Sequence, residues 1–396
     1  MRLFARCASV ALLLLFPLAA TPAATAVPGP EPGGTGPAPL RVTGVPVPDQ
    51  YIVTLRPRAT AVQVTQRLGV TPIYSYNRAL RGFAARLTAS QLASARALPD
   101  VAAVEQDAFV TAPPAPDAPS FRVPAASWGL DRIDQPYLPL NNQFHVNSAG
   151  SGASAYILDT GIEYRHAEFG GRAVFGYDAI GDGRNGQDCH GHGTHVAGTV
   201  GGANYGVARG ATLVAVRVLD CQGRGSNASV IAGLDWVAQN ARQPAVLNAS
   251  LGGPRSQAVN DAATALSDRG VLPVVAAGND AVDACTVSPA GASRVVTVGA
   301  TDHHDRETSF SNYGRCLWIY APGASIVSAR LGGGGVTLSG TSMAAPHVTG
   351  VAALHKAGTP SATPEDVAVW LADQSVKNVL TVSKGSPNRL LQTGGL

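Results

Sequence analysis

Three short runs of this 396-residue chain carry side chains that could do chemistry together. Asp159 stands in Asp159-Thr160-Gly161, after the apolar stretch Tyr156-Ile157-Leu158. His192 stands in His190-Gly191-His192-Gly193-Thr194-His195, and Ser342 in Gly340-Thr341-Ser342-Met343-Ala344-Ala345-Pro346. Each alone has a plain structural use, since an Asp or Ser beside a turn is a good helix cap. Together they are the parts of a nucleophilic catalyst. A serine hydroxyl is a weak nucleophile at neutral pH, so an imidazole must take its proton, and a carboxylate must fix the tautomer of that imidazole and stabilise its charge. Glycines beside His192 and Ser342 let the main chain approach a substrate closely. A helix opening at Ser342 would aim free N–H groups at an oxygen gaining negative charge. Asn279, in Ala276-Ala277-Gly278-Asn279, could add its side-chain amide to that oxygen, although Gly-Asn is equally a good turn.

Elements able to hold these residues alternate along the second half of the chain. Apolar, β-branched runs predict strands at 153–158, 212–219, 245–249, 271–276, 295–298 and 325–328. Helices are predicted at 229–241, 258–268, 342–356 and 364–372, the last with Thr363 as N-cap and Pro364 at its first position. Continuous apolar strands separated by helices predict an α/β fold, a mainly parallel sheet with helices on both faces. Active residues then belong at the carboxyl ends of strands and the starts of helices. Upstream, strands at 51–55, near 74, at 82–87 and at 101–105, with helices at 59–68 and 88–98, give β-α-β-β-α-β, a small α+β ferredoxin-like unit.

The boundaries follow from composition. Residues 1–26 read as a secretory signal peptide: Arg2 and Arg6, an apolar run, then Ala24-Thr25-Ala26 as a cleavage site. Pro17 interrupts that run, which disfavours a membrane anchor, and the mature protein is expected to be free of the membrane. Residues 27–49 read as a Pro/Gly-rich linker, 50–111 as the small unit, 112–127 as a second linker and 128–396 as the large domain. A net charge of +3 gives no basic field for phosphates, so nucleic acid is not an expected partner. Once Cys7 leaves with the signal, Cys189, Cys221, Cys285 and Cys316 form an even set suited to an oxidising compartment. They allow three pairings, of which sequence neighbours, Cys189 with Cys221 and Cys285 with Cys316, are the simplest.

The runs around Asp159, His192, Asn279 and Ser342, in that order, resemble the motifs of the subtilase serine proteases. Trp128-Gly129-Leu130-Asp131-Arg132-Ile133-Asp134-Gln135 and the cysteine spacings resemble the proteinase K and aqualysin-like branch. That resemblance implies a secreted serine endopeptidase, made as a zymogen and acting on proteins and peptides, with no cofactor for catalysis; with no repeats in the sequence, a soluble monomer is expected. Residues 50–111 would be an inhibitor-type propeptide, chaperone and inhibitor of its own enzyme, with 104–110 as a tail lying in the cleft and self-cleavage between Val110 and Phe121. Ser250-Leu251-Gly252 and the edge containing Gly223 and Gly225 would pair with an extended substrate. Ala276, Ala277 and Gly278 would leave an open apolar first pocket, favouring hydrophobic or aromatic residues before the cut bond. Asp131, Asp134, Gln135 and Asn141 resemble a structural calcium loop of the branch, with the oxygen ligands a hard cation prefers. Trp318 stands where branch members often carry a metal-binding Asp.

Two other readings compete. His190, His192 and His195 could ligate zinc, but no second ligand cluster accompanies them. A catalytically silent or latent relative acting as a binding module would be favoured by loss of a triad residue or of Asn279, and none is lost.

Overall fold

Neighbouring residues on a strand point to opposite faces, and the small N-terminal sheet uses both of them. In the computed structural model, which describes residues 36–112, 127–383 and 385–396, the strands of this sheet run in the order Val101–Thr111, Pro46–Leu55, Gly82–Arg86, Tyr74–Tyr76. This sheet and the large domain belong to one unit, Pro37 to Leu396. Val53, Phe83 and Val104 pack under the helices Ala61–Leu68 and Ala89–Ala97. Ile52, Tyr76 and Ala84, on the opposite face, join a core that includes Ala228, Val230, Ala258 and Val259 of the large domain. The helices begin where capping chemistry allows: Thr88 and Gln91 form a reciprocal capping box, and Gly69, at φ 62°, closes the first helix in a conformation that costs glycine little.

The expected linker 27–49 is only partly accounted for. Leu40–Arg41 is a short strand, parallel to Val104 and Glu105, and the first long strand opens at Pro46. Prolines and glycines hid these strands: Leu40–Arg41 lies at the sheet edge, and Pro46 opens its strand ahead of a register shift, where a missing ladder N–H is tolerated. The signal segment 1–26 and most of the second linker, 113–126, lie outside the described residues.

The large domain is built on a nine-stranded sheet. Its order is Val376–Lys377, Arg389–Leu390, Ile319–Pro322, Val296–Thr301, Leu272–Ala276, Ala245–Ala249, Ser154–Asp159, Thr212–Arg217, Ala173–Asp178. All neighbouring pairs are parallel except Val376–Lys377 with Arg389–Leu390. Along the central strands Ala155, Ile157, Val246 and Val274 face the helices His192–Gly201 and Thr341–Gly358. Tyr156, Leu158, Leu247 and Val275 face Asn227–Asn240 and Gln257–Asp268. Burial on both sides explains why these strands are apolar without alternation; each fully buried Val, Leu or Ile contributes about 1.5–3 kcal/mol.

One predicted strand lies elsewhere: Ile326–Ala329 pairs with Gly335–Leu338 in a separate hairpin rather than joining the main sheet. Four strands of the main sheet escaped the sequence reading, among them the two-residue strands Val376–Lys377 and Arg389–Leu390. Ala173–Asp178 is a half-exposed edge broken by Gly176, and Ile319–Pro322 is only four residues long. The cysteines pair as sequence neighbours, Cys189–Cys221 and Cys285–Cys316.

Candidate active site

Asp159 ends a central strand with its side chain fully buried, and its Oδ1 lies 2.7 Å from His192 Nδ1. The same oxygen accepts the Thr160 N–H at 2.7 Å, which fixes the carboxylate plane. His192 is the first residue of its helix, after Gly191 at φ 102°, a turn that a side chain at position 191 would strain. Its Nε2 is buried and has no hydrogen-bond partner among the described residues. Ser342 is the second residue of Thr341–Gly358, and its Oγ donates to the Ser250 carbonyl at 3.1 Å rather than to His192.

Pro346 explains part of this arrangement. It lies one helical turn after Ser342 and has no N–H to give the Ser342 carbonyl. The Ser250 hydroxyl supplies that bond at 2.8 Å and is itself held by Asn248 Nδ2 at 2.9 Å. Asn248 is tied in turn to Thr349 of the same helix. The sequence reading assigned Ser250 to substrate pairing alone; its side chain also braces the backbone of Ser342.

Asn279 follows the Leu272–Ala276 strand. Its Oδ1 accepts from the Thr341 N–H at 2.9 Å and from Thr341 Oγ1 at 2.8 Å, which turns its NH₂ the other way. A Cβ placed on Gly340 would sit 3.4 Å from Asn279 Nδ2 and 3.6 Å from Ser342 N, so the two donors converge on one small space that a side chain at 340 would fill. Gly278, at φ 103°, brings the chain against Asn312, whose Nδ2 a side chain there would strike. Thr341 and Asn312 carried no signal in the sequence because their roles depend on residues about 62 and 32 positions away.

The C-terminal strand of the small domain runs into this site. Phe109, Val110 and Thr111 pair antiparallel with Ser226, Gly225 and Arg224, Thr111 also bridges Gly252, and the Ala112 N–H donates to the Gly223 carbonyl at 2.8 Å. Of the run 250–252 only Gly252 pairs with it; Leu251 is buried. Beyond Ala112 opens a cavity of about 580 Å³ lined by Ala276, Ala277, Gly278, Asn279 and Ser342, with Asp280 exposed in the same lining.

Two carboxylates of that strand cap helices of the large domain, which the sequence reading missed. Glu105 accepts from Ser256 Oγ and from the N–H groups of Gln257 and Ala258. Asp107 accepts from the Ala228 N–H at 3.0 Å and from Gln50. Burial pushes both carboxyls up, against the hydrogen bonds that pull them down. In the opposite sense, Asp235 of the large domain receives the N–H groups of Asn77, Arg78 and Ala79.

Two further histidines, His195 and His347, are buried against main-chain carbonyls. His195 Nε2 lies 3.1 Å from the Ile326 and Val336 carbonyls, and burial pushes it down to about 3. His347 Nδ1 lies 2.8 Å from the Met343 carbonyl, and burial brings it to about 4. Among the described residues no group of three or more His, Cys, Asp or Glu is arranged to hold a metal. In the expected calcium loop, Asp131 accepts the Asn141 and Asn142 N–H groups, and Asn141 Oδ1 accepts from Gln143. Gln135 bonds the Tyr137 and Pro139 carbonyls. Asp134 accepts the His145 N–H with one oxygen, while the other is buried and unpartnered.

Comparison with known proteins agrees with this geometry. Residues 150–393 match the model of the subtilase family, and residues 50–113 that of the peptidase inhibitor I9 family. The chain is 50% identical over 346 residues to an extracellular serine proteinase of Thermus sp. (strain Rt41A), covering 86% of this chain and 82% of that protein. It is 47% identical to alkaline serine exoprotease A of Vibrio alginolyticus, covering 80% of this chain and 59% of that longer protein. The crystal structure of a cold-adapted subtilisin-like serine proteinase superposes with a TM-score of 0.67 at 48% identity, over 68% of this chain and 98% of the other. With a subtilisin-like α/β domain behind an I9 propeptide, this chain belongs to the subtilase family and is a serine endopeptidase.

Proposed function

We propose that the enzyme is exported and cuts proteins outside the cell with Asp159, His192 and Ser342 as its triad. The observation that carries this is the course of residues 109–112, an extended strand paired on both edges whose Thr111 and Ala112 line the same cavity as Ser342, as a substrate would. The Ser342 hydroxyl swings from the Ser250 carbonyl to His192, gives its proton to Nε2, and attacks the carbonyl carbon of the substrate. The Ser342 N–H and Asn279 Nδ2 receive the oxyanion, and Asp159 stabilises the imidazolium. His192 then protonates the leaving amine, and water, deprotonated by the same imidazole, releases the acid and restores Ser342.

Substrate pairing falls to Gly223, Gly225 and Gly252, with Ser250 and Leu251 behind them. The small residues Ala276, Ala277 and Gly278 favour a hydrophobic side chain before the cut bond; a strict demand for Arg or Lys there would point instead to Asp280 and overturn this preference. The Thermus relative's name as an extracellular proteinase supports export. A calcium ion at Asp131, Asp134, Gln135 and Asn141 is supported by the unpartnered buried oxygen of Asp134 beside a second carboxylate; bound there, it would tie the loop by charge and take no part in catalysis.

Intact mass of the secreted protein, wild type beside Ser342→Ala, tests the reading. A wild-type chain starting between residues 111 and 121, with an uncut variant, is the expected result. Equal masses that are both short would mean that another protease made the cut, and equal long masses that the protein is latent.

A further inference from the structure

Asp188 is four residues before His192, 7% exposed, and absent from every motif that pointed to the triad. Its carboxylate accepts five hydrogen bonds, all from neutral donors. Oδ1 receives Thr160 Oγ1, the His190 N–H and the Gly191 N–H, each at 2.9 Å. Oδ2 receives the Thr194 N–H at 2.9 Å and Thr194 Oγ1 at 2.6 Å. The donors come from two elements: Thr160 follows Asp159 at the end of its strand, while 190–194 form the entry and first turn of the His192 helix. Thr160 Oγ1 closes the loop by accepting the Gly193 N–H at 2.9 Å.

We propose that Asp188 is a positioning residue of the catalytic site, bolting the turn after Asp159 to the first turn of the His192 helix and so setting the hydrogen bond between them. This rests on reading Asp159 and His192 as triad members. An anion before a helix N-terminus is favourable in itself, but capping needs only the 190–194 side. The Thr160 hydroxyl, oriented by Asp188 as it accepts the Gly193 N–H, joins the two carriers. Little else can adjust there: a Cβ on Gly193 would strike the Gly161 carbonyl, and one on Gly161, at φ 110°, would lie 2.9 Å from Asp188 N. The neighbouring residue, Cys189, is pinned to Cys221, so the anchor cannot follow a drifting helix.

The test uses Asp188→Asn and the near-isosteric Thr160→Val, with Thr160→Ser as the conservative control. An asparagine can serve one set of donors but must turn its NH₂ toward the other, whereas Thr160→Val leaves the other four bonds to Asp188 intact and cuts both strand-to-helix links of the hydroxyl, to Asp188 and to the Gly193 N–H. Activity is expressed per site reactive to a fluorophosphonate, so that unfolded protein does not count. Asp188→Asn should lower kcat by about 10- to 100-fold with KM within about threefold, because a small misplacement of reacting groups costs rate rather than binding. Thr160→Val should lower kcat by about tenfold, and Thr160→Ser should restore it. The low-field proton resonance of His192 Nδ1–H, read in the uncut Ser342→Ala chain, should broaden or move in both damaged variants and stay in place with serine. If Asp188→Asn fails to fold, the Thr160 pair decides alone. Thr160→Val with wild-type kcat and an unmoved resonance overturns the proposal, and so does an Asp188→Asn variant that loses only melting temperature. Full activity in Ser342→Ala would instead sink the triad reading, a separate outcome.

Discussion

The two faces of the central sheet use the same physical device for opposite ends. On one face, the helices His192–Gly201 and Thr341–Gly358 begin at the site, and the Ser342 N–H, without a partner among the described residues, is open to the oxyanion proposed above. On the other, Asn227–Asn240 and Gln257–Asp268 also begin with unsatisfied N–H groups, but Asp107 and Glu105 of the propeptide fill them. The first pair is braced by the chain it belongs to, through Asn248, Ser250 and Asp188. The second is capped by a segment that maturation removes. A helix terminus therefore serves chemistry where its donors are kept open, and latency where a detachable carboxylate closes them.

Breaking the first side should have the larger effect. Asn279→Leu removes one oxyanion donor and should lower kcat by about 10²- to 10³-fold with little change in KM, the magnitude known for the corresponding donor of subtilisin, another member of the family. Steady-state kinetics on a peptide anilide would show it; a change confined to KM would place Asn279 in binding instead. On the second side, Glu105→Ala orphans the Ser256 hydroxyl and helix N–H groups, a loss of about 1–3 kcal/mol. The delay between self-cleavage and full activity should shorten accordingly.

The pH dependence of that delay sharpens the contrast. Burial raises Glu105 and Asp107 in the complex, so the complex binds protons more tightly than the separated parts. Propeptide binding should therefore be strongest below the ordinary carboxylate range and weaken as pH rises through the raised values, then level off. The Glu105→Ala variant should show a shallower dependence; an unchanged one would take Glu105 out of the account. Smallest is the effect of a chelator, which should lower the melting temperature by a few degrees if Asp131 and Asp134 hold calcium, and leave it unchanged if Asp134 is simply a buried acid.

How much was legible varied with the range of the interaction. The cap at Thr363, the helix start at Ser342, and the parallel apolar strands could be read locally, because each depends on residues within a turn or a strand length. The hairpin strand Ile326–Ala329 was read as part of the main sheet, since an apolar run does not say which partner it will find. Leu40–Arg41 was hidden among prolines and glycines. Asp188, Glu105 and Asp235 looked like ordinary acids on loops, strands or helix faces, and nothing in their neighbours marks which donors they meet.

By itself the sequence determined the chemical inventory and its order: an N-terminal βαββαβ domain, then a carboxylate, an imidazole, an amide and a serine hydroxyl at Asp159, His192, Asn279 and Ser342, with four cysteines in the large domain. These depend on residue type and short spacing, where covalent geometry and local hydrogen bonds dominate. Only the tertiary structure decided that the Ser342 hydroxyl rests on Ser250, that Ser250 replaces the bond Pro346 cannot give, and that propeptide carboxylates close two helices. Each of these joins groups distant in sequence, and burial makes an unpaired polar group costly enough that the fold must supply a partner from wherever the chain brings one.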